Sequence, residues 1–462
     1  MVDVVPAPAT GVLCVDSVRE LAGSGQIDDV IVAVPDLAGR LQGSRVAVDH
    51  FLDDVLANGF PACTYLLASD VEMVARDGYG FSPWDRGFDD LVLRPEPSTL
   101  RRLPWEPRTA LVIADAEWPD GTAAAFAPRT ILRRQLDRLA ARGLHAFAAT
   151  ELEFRVFHEP YRRAWETGYR DLSPATAFNV DYAIGGLGVL DPLGAHLRSA
   201  MRDLGVAFET ARGECAPGQY EITFRYGPAL PMCDGHAIYK TAAKAIAAQH
   251  GVSLTFMAKF DGAEGSSGHV HFSLRGDEGQ PVFAGEGTGE RSGMSDLMAQ
   301  FVAGQLACMA DFSLLYAPTL NSYKRLRPGS FAPTSVAWGR DNRTCPIRVV
   351  GAGPSLRFEH RVPGADANPY LVLAGIIAAG LHGIDHQLEL EPAATGNAFS
   401  QQRSRLPSTL EEALHRWSTS PTAGHAFGTD VAGHLQGAAR GELDAFAGTV
   451  TDWERRRCFE RM

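Results

Sequence analysis

The sequence has no paired-cysteine motif and no apolar run long enough to cross a bilayer. Its seven cysteines are scattered without a C-x-x-C, which is typical of reduced thiols in a cytoplasm. The longest near-continuous apolar run, 371–381, is well short of the roughly 20 residues that a crossing requires. No Lys or Arg precedes Arg19, so no secretory signal is visible. We therefore expect a cytoplasmic protein without a membrane partner.

The chain also lacks the positive charge of a nucleic-acid-binding protein. It has 43 Lys and Arg against 55 Asp and Glu, a formal net charge of −12, which argues against nucleic acid and anionic membranes as partners. Its basic residues are concentrated locally, between Lys324 and Arg361. Such a stretch indicates either a solvated basic patch or a site that binds anions.

Three short segments repeat polar residues at every second position, which is the period of a strand. They are T-E-L-E-F at 150–154, G-H-V-H-F at 268–272 and R-F-E-H-R at 357–361, with E-C-A-P-G-Q-Y-E at 214–221 between the first two. Each alone is more typical of a solvated strand face, a salt-bridge ladder or a satisfied histidine pair than of a binding site. Together they supply five glutamates and one or two histidines, a set that favours Mg²⁺ or Mn²⁺ over zinc.

In this order the motifs resemble the glutamine synthetase superfamily. The resemblance runs from about Asp28 to near the C-terminus and includes G-S-S-G-H-V-H at 265–271, N-S-Y-K-R-L-R-P-G at 321–329, N-R-T at 342–344 and A-N-P-Y at 367–370. It implies an α+β fold, with an N-terminal β-grasp domain at 1–115 and a large catalytic domain at 116–462 whose curved sheet lines a funnel. The Pro-rich stretch 95–107 is the expected boundary.

The activity implied by the resemblance is ATP-dependent amide formation. The γ-carboxylate of glutamate attacks the γ-phosphate of ATP, and an amine then displaces phosphate from γ-glutamyl phosphate. Members of the family assemble as closed rings, so we expect a homo-oligomer, a dodecamer of two stacked hexamers. A catalytically silent nitrogen sensor is the alternative from a different class of protein.

The resemblance also implies roles for individual residues. Two to three Mg²⁺ or Mn²⁺ ions would bind at one site made of Glu153, Glu214 and Glu221 and at a second made of Glu151, His269 and Glu359. ATP would contact His271, Arg343, Arg348 and Arg357, and Arg343 and Arg348 would also stabilise the transferring phosphoryl group. Glutamate would be held by Gly265, Arg325 and Arg361.

The departures from the family pattern cluster where ammonium should bind. Phe331 stands in place of a flap glutamate, and the segment with Pro61 and Ala62 stands in place of an N-terminal aspartate. Without these acids the pocket should be roomier and more apolar, which favours an amine that bears carbon. Glu264 replaces a loop asparagine and either holds an ammonium group or acts as a base, or else is a local salt-bridge partner. Arg212 replaces a histidine found in many relatives.

These departures predict a primary alkylamine as the third substrate. Ethanolamine is the first choice, because the changes bring in apolar residues and not the extra carboxylates that the second cation of a diamine should require. Putrescine or spermidine is the second choice, and an ammonia-using glutamine synthetase is the third possibility.

The apolar pattern also predicts the main secondary-structure elements. We expect strands near 30–34, 41–48, 110–114, 147–157, 221–225, 253–259, 269–274 and 356–362. Helices are expected near 193–204, 234–249, 293–315 and 369–383, and from Pro128 to just before Gly143, where proline opens and glycine ends a helix.

Overall fold

A computed structural model describes residues 11–76, 78–81 and 84–462. Residues 1–10, which begin the predicted N-terminal domain, lie outside this range. The described strands are β1 Asp29–Pro35, β2 Leu41–Ala47, β3 Phe60–Cys63, β4 Asp90–Pro95, β5 Arg101–Arg102, β6 Thr109–Glu117, β7 Leu144–Phe157, β8 Phe208–Gly213, β9 Gln219–Phe224, β10 Gly227–Pro228, β11 Ser253–Thr255, β12 Gly268–Gly276, β13 Trp338–Arg340, β14 Ile347–Val350 and β15 Arg357–His360.

The helices surround two sheets. They are α1 Val15–Gly23, α2 Val48–His50, α3 Leu56–Asn58, α4 Pro128–Ala140, α5 Tyr161–Glu166, α6 Leu190–Asp203, α7 Ala229–Gln249, α8 Asp296–Cys308, α9 Ser313–Tyr316, α10 Ser322–Arg325, α11 Pro369–Asp385, α12 Leu410–Thr419, α13 Pro421–Phe427, α14 Thr429–Ala447 and α15 Asp452–Cys458, with a π-helical turn Phe51–Val55 joining α2 to α3. Within the described ranges, no helix combines the length and the apolar character needed to span a membrane.

The first sheet is built from the N-terminal part of the chain. Its strand order is β2-β1-β6-β4-β3, with β5 also paired to β6. β1 and β6 are parallel and the other pairs are antiparallel. Its own apolar core includes Val30, Val32, Phe51, Leu93 and Val112, as expected for strands in which alternate residues face one packed layer. The Pro-rich stretch 95–107 contributes β5 to this sheet.

The second sheet is larger and almost wholly antiparallel. Its order is β13-β14-β15-β12-β7-β9-β8, with β10 and β11 also paired to β7. One face packs against helices through Leu152, Phe154, Ile222, Phe272 and Phe358, all buried. The mixed content of helix and strand confirms the predicted α+β class. The division at 115 stays a prediction.

Most predicted elements are present, with two differences. The strand predicted over 253–259 ends at Thr255. The helix predicted from Pro128 is α4, which ends at Ala140, and Gly143 beyond it has a φ of +68°. The single helix predicted over 293–315 is wrong, because α8 ends at Cys308 and α9 begins at Ser313. Between them the Ser313 hydroxyl donates to the Met309 carbonyl at 2.9 Å, and such side-chain bonds compete with regular helical geometry.

Candidate active site

Strand pairing in the second sheet brings the polar motif residues onto one face. Glu151 on β7 pairs in register with His269 on β12, and Glu153 pairs with Glu221 on β9. Glu359 on β15 lies opposite His271. Because side chains alternate across a strand, the motif carboxylates and imidazoles converge while their neighbours enter the core. The motifs, far apart in sequence, thus form one cluster.

Glu153, Glu214 and Glu221 form the first acidic group. One carboxylate oxygen from each lies within 4.8 Å of the others. Burial and the nearby Glu151 and Glu153 raise the pKa of Glu221, and burial followed by Glu153 raises the pKa of Glu214. Two buried carboxylates and the half-buried Glu214 thus share one small space, where burial first and neighbouring negative charge second disfavour their ionised forms. A cation held between them would offset both effects.

Arg212 supplies one positive charge to this group. Its Nε lies 3.0 Å from Glu214 Oε1 and its Nη2 lies 2.9 Å from Glu221 Oε1. The guanidinium also stacks 5.0 Å from the centre of the Tyr182 ring. Arg212, which replaces a histidine of the family pattern, is thus a direct partner of two predicted metal ligands.

Glu153 is held in place by three hydrogen bonds. The Ser267 hydroxyl donates to Oε1 at 2.5 Å, and the Ser267 amide and the Gln219 side-chain amide each donate to Oε2 at 2.8 Å. Sequence reasoning assigned no role to Ser267 or Gln219. A signal existed for Gln219, because it lies two residues before Glu221 and therefore on the same strand face.

Glu151, His269 and Glu359 form the second predicted group. His269 Nδ1 lies 3.5 Å from Glu151 Oε2 and 3.3 Å from Glu359 Oε1. Burial, and then the charge of Arg361, lower the pKa of His269, so the imidazole is neutral and able to offer a lone pair. Burial opposes ionisation of Glu151, but hydrogen bonds from His269 and His271 outweigh it and lower its pKa.

His271 also faces this group. It forms a triplet with Glu151 and Glu359 whose potential ligand atoms lie within 4.8 Å of one another. Its Nδ1 lies 3.2 Å from the Arg357 Nε, which can only donate, and its Nε2 lies 2.8 Å from Glu151 Oε1. In this geometry Nε2 carries the proton that Glu151 accepts, so both nitrogens of His271 are engaged. His269 is absent from the triplet, although its Nδ1 faces the same two carboxylates.

Two of the predicted arginines contact Glu359. Arg348 Nη1 donates to Glu359 Oε2 at 3.0 Å, and Arg361 donates to Glu359 Oε1. Arg348 also pairs with Asp341. Arg343 is not joined to this cluster by any described bond. It lines an open cavity of about 540 Å³ together with Arg340 and Asp341.

Arg325 is a buried guanidinium without an acidic partner among the described residues. It is 5% exposed and donates to the backbone carbonyls of Val362 at 2.9 Å and Arg361 at 3.3 Å. Burial lowers its pKa to about 10. Gly265 lies against it, because a Cβ there would be 2.9 Å from Arg325 Cγ and 2.5 Å from the Ala258 carbonyl oxygen. Glycine is required by this close approach.

Among the described residues, no apolar core contains both Phe331 and the predicted partners Pro61 and Ala62. Phe331 is 68% exposed, whereas Pro61 and Ala62 lie on the sheet-edge strand β3, where Ala62 packs against the first core. Glu264 is half-buried. Across residues 11–76, 78–81 and 84–462 it has no ion pair, which disfavours the salt-bridge interpretation.

The family comparison agrees with the motif order. Residues 125–458 match the family described as "Glutamine synthetase, catalytic domain". The sequence is 54% identical over 456 residues to gamma-glutamylethanolamide synthetase GlnA4 of Streptomyces coelicolor, covering 99% of this chain and 98% of that protein. It is 34% identical over 444 residues to a glutamate–isopropylamine ligase of a Pseudomonas species, covering 95% and 96%.

The fold also matches a solved structure whose description names ADP. The structure described as "GmaS/ADP complex-Conformation 1" superposes with a TM-score of 0.83 at 27% identity, covering 96% of this chain and 99% of that one. Both the sequence and the fold therefore match over nearly the whole length.

Proposed function

Since the chain belongs to the glutamine synthetase family, we propose that it is an ATP-dependent ligase that joins the γ-carboxylate of glutamate to a primary alkylamine. Ethanolamine is the favoured amine. The relative at 54% identity is a gamma-glutamylethanolamide synthetase, and the relative at 34% identity uses isopropylamine. Both names indicate a carbon-bearing amine, in agreement with the two missing acids.

The observation that carries the proposal is a buried guanidinium beside a buried acidic cluster. Arg325 has unsatisfied donor capacity and no described acidic partner, so a carboxylate from a ligand would complete it. Arg361 has a buried Nε without a partner. Together with Gly265, whose lack of a side chain keeps the approach open, these two arginines suit the carboxylates of glutamate.

The donor set fits divalent metal ions. Glu153, Glu214 and Glu221 would hold one Mg²⁺ or Mn²⁺, and Glu151, His269 and Glu359 would hold a second, because carboxylate oxygens are the ligands these hard cations prefer. The raised pKa values of Glu214 and Glu221 support the fit, since burial and then neighbouring negative charge cause them, and a cation would neutralise that charge. When bound, such ions neutralise charge on transferring phosphates.

The remaining residues have roles in positioning and proton transfer. His271, Arg343, Arg348 and Arg357 would bind the ATP phosphates. The glutamate γ-carboxylate oxygen bonds to the γ-phosphorus and ADP leaves. The amine nitrogen then bonds to the acyl carbon, phosphate leaves, and Glu264 takes the proton that the amine loses. The lack of a described ion pair leaves the Glu264 carboxylate available for this step.

The amine pocket would be completed by a neighbouring subunit. Phe331 is exposed and the outer edge of β3 has no strand partner among the described residues, so Pro61 and Ala62 of one subunit can cover Phe331 of the next in a closed ring. We propose a dodecamer. Light scattering at assay concentration tests this, and a fully active monomer would contradict it.

The decisive experiment compares amines. Phosphate release from ATP and glutamate should be faster with ethanolamine than with ammonium, putrescine or spermidine at matched pH. If ammonium is best, the protein is an ordinary glutamine synthetase with an unusual flap. If no amine supports turnover although ATP binds with Mg²⁺, it is a silent sensor.

Variants of Phe331 test the pocket itself. Phe331→Glu adds a charge and removes apolar contact, so it should impair ethanolamine use more than glutamate binding. Phe331→Leu is the matched control, because it keeps the apolar character without the charge. Equal effects of the two variants on ethanolamine use would count against the pocket.

A further inference from the structure

A second cavity lies between the N-terminal sheet and the catalytic sheet. Its volume is about 570 Å³. One side is formed by residues 96–101 and by α4, and the other by the turn at 205–207 and residues 224–238. Its apolar wall includes Val206, Phe224, Leu230, Met232 and Ile238. None of the proposed metal, ATP or glutamate ligands lines it.

The cavity carries more positive than negative charge. Four arginines line it, Arg101, Arg129, Arg133 and Arg225, against the two acids Glu96 and Asp234. Both acids already have partners. Asp234 receives two hydrogen bonds from the buried Arg129, at 3.0 and 2.9 Å, and Glu96 lies 3.5 Å from Arg133. Asp115, which does not line the cavity, pairs with both Arg129 and Arg133. The positive charge without an acidic partner among the described residues is therefore that of Arg101 and Arg225.

Arg101 has no acidic partner among the described residues. Its Nη1 donates to the carbonyls of Ser98 at 3.0 Å and Leu100 at 2.8 Å, and its Nε is buried without a partner. Burial lowers its pKa, yet a guanidinium stays charged. A partly buried charge without a counter-ion is unfavourable. Arg225, exposed at the cavity rim, likewise makes no described ion pair.

We propose that this cavity binds a small organic anion, whose carboxylate or phosphate pairs with Arg101 and Arg225 and whose carbon body contacts the apolar wall. The charge surplus and the apolar wall together define this ligand class: an inorganic ion would leave the wall uncovered, and a neutral apolar molecule would leave Arg101 unpaired. The ligand is not a substrate, because the catalytic cluster lies elsewhere. The cavity is lined in part by Phe224, the last residue of β9, which also carries Glu221.

The test uses 4-fluorobenzoate as the probe, because it combines a carboxylate with an apolar ring and resembles neither glutamate nor ATP. Binding to the full-length protein is followed by fluorine NMR at fixed ionic strength. We expect saturable binding that persists in the presence of saturating ATP and glutamate. Absence of saturable binding, or displacement by the two substrates, would overturn the proposal.

Three single variants test whether the probe binds in this cavity. Arg101→Gln should weaken probe binding about tenfold, and Arg225→Gln, at an exposed position that tolerates the change, should weaken it as well. Arg102→Gln is the matched control. It removes the same charge from the next residue, which does not line the cavity and whose side chain reaches Gln26 at 3.5 Å. If Arg102→Gln weakens binding as much as the other two, or if neither of them weakens it, the cavity is not the site.

Discussion

Replacing Ser267 with alanine should weaken divalent metal binding. Ser267 is not a proposed metal ligand, but its hydroxyl positions Glu153, which is one. Its hydroxyl lies 2.5 Å from Glu153 Oε1 and is one of three donors to that carboxylate. A hydrogen bond to a charged group contributes about 1.5–3 kcal/mol. The Ser267 amide and Gln219 still hold the other oxygen, so we expect the lower part of that range. Substitution of a residue that hydrogen-bonds to a metal ligand typically lowers metal affinity about 10–100-fold.

The assay is a titration with Mn²⁺ followed by electron paramagnetic resonance, since the signal of aqueous Mn²⁺ falls as the ion binds. Ser266→Ala is the control, because Ser266 is 1% exposed and its buried hydroxyl has no hydrogen-bond partner. Both variants delete one buried oxygen from adjacent positions. Wild-type affinity in Ser267→Ala, or an equal loss in both variants at unchanged melting temperature, would refute the reasoning that Glu153 is a positioned ligand.

Three further predictions concern the same cluster. The pKa values of Glu214 and Glu221 are raised in the metal-free protein, and binding requires them ionised. Affinity for Mn²⁺ should therefore rise with pH, about tenfold per unit for each proton released. Calorimetry in two buffers measures those protons, and pH-independent binding would contradict the assignment. Gly265→Ala should raise the KM for glutamate about tenfold or more through the clash with Arg325, whereas Gly262→Ala, with open space around it, should not. Arg212→Gln should raise Mn²⁺ affinity about tenfold, about 1.4 kcal/mol, because it removes a cation that repels the metal, and it should lower the melting temperature of the metal-free protein. Weaker metal binding in this variant would instead make Arg212 a support for the bound ion.

The sequence was sufficient to predict those features that depend on a single strand or helix. The spacing of Glu151 and Glu153 sets a shared strand face, because side chains alternate whatever the neighbouring strand is. The proline that opens α4 and the glycine just beyond its end likewise act through backbone geometry alone. The α+β class was implied by the resemblance to the family that these motifs carry. The single helix predicted over 293–315 is wrong because α8 ends at Cys308 and α9 begins at Ser313, a break that the apolar pattern does not indicate.

The site itself was decided by tertiary structure. Register between β7, β12 and β9 sets Glu151 opposite His269 and Glu153 opposite Glu221, and a slip of one residue would turn one partner into the core. No local pattern shows that Ser267 reaches Glu153, or that Arg325 lacks an acidic partner among the described residues. Both facts depend on segments distant in sequence: Ser267 and Glu153 are 114 residues apart, and Arg325 bonds to a carbonyl 37 residues away. The sequence by itself therefore determined which chemical groups are present and which strand faces carry them. Only packing decided which of these groups meet, because burial fixes their partners and their charges.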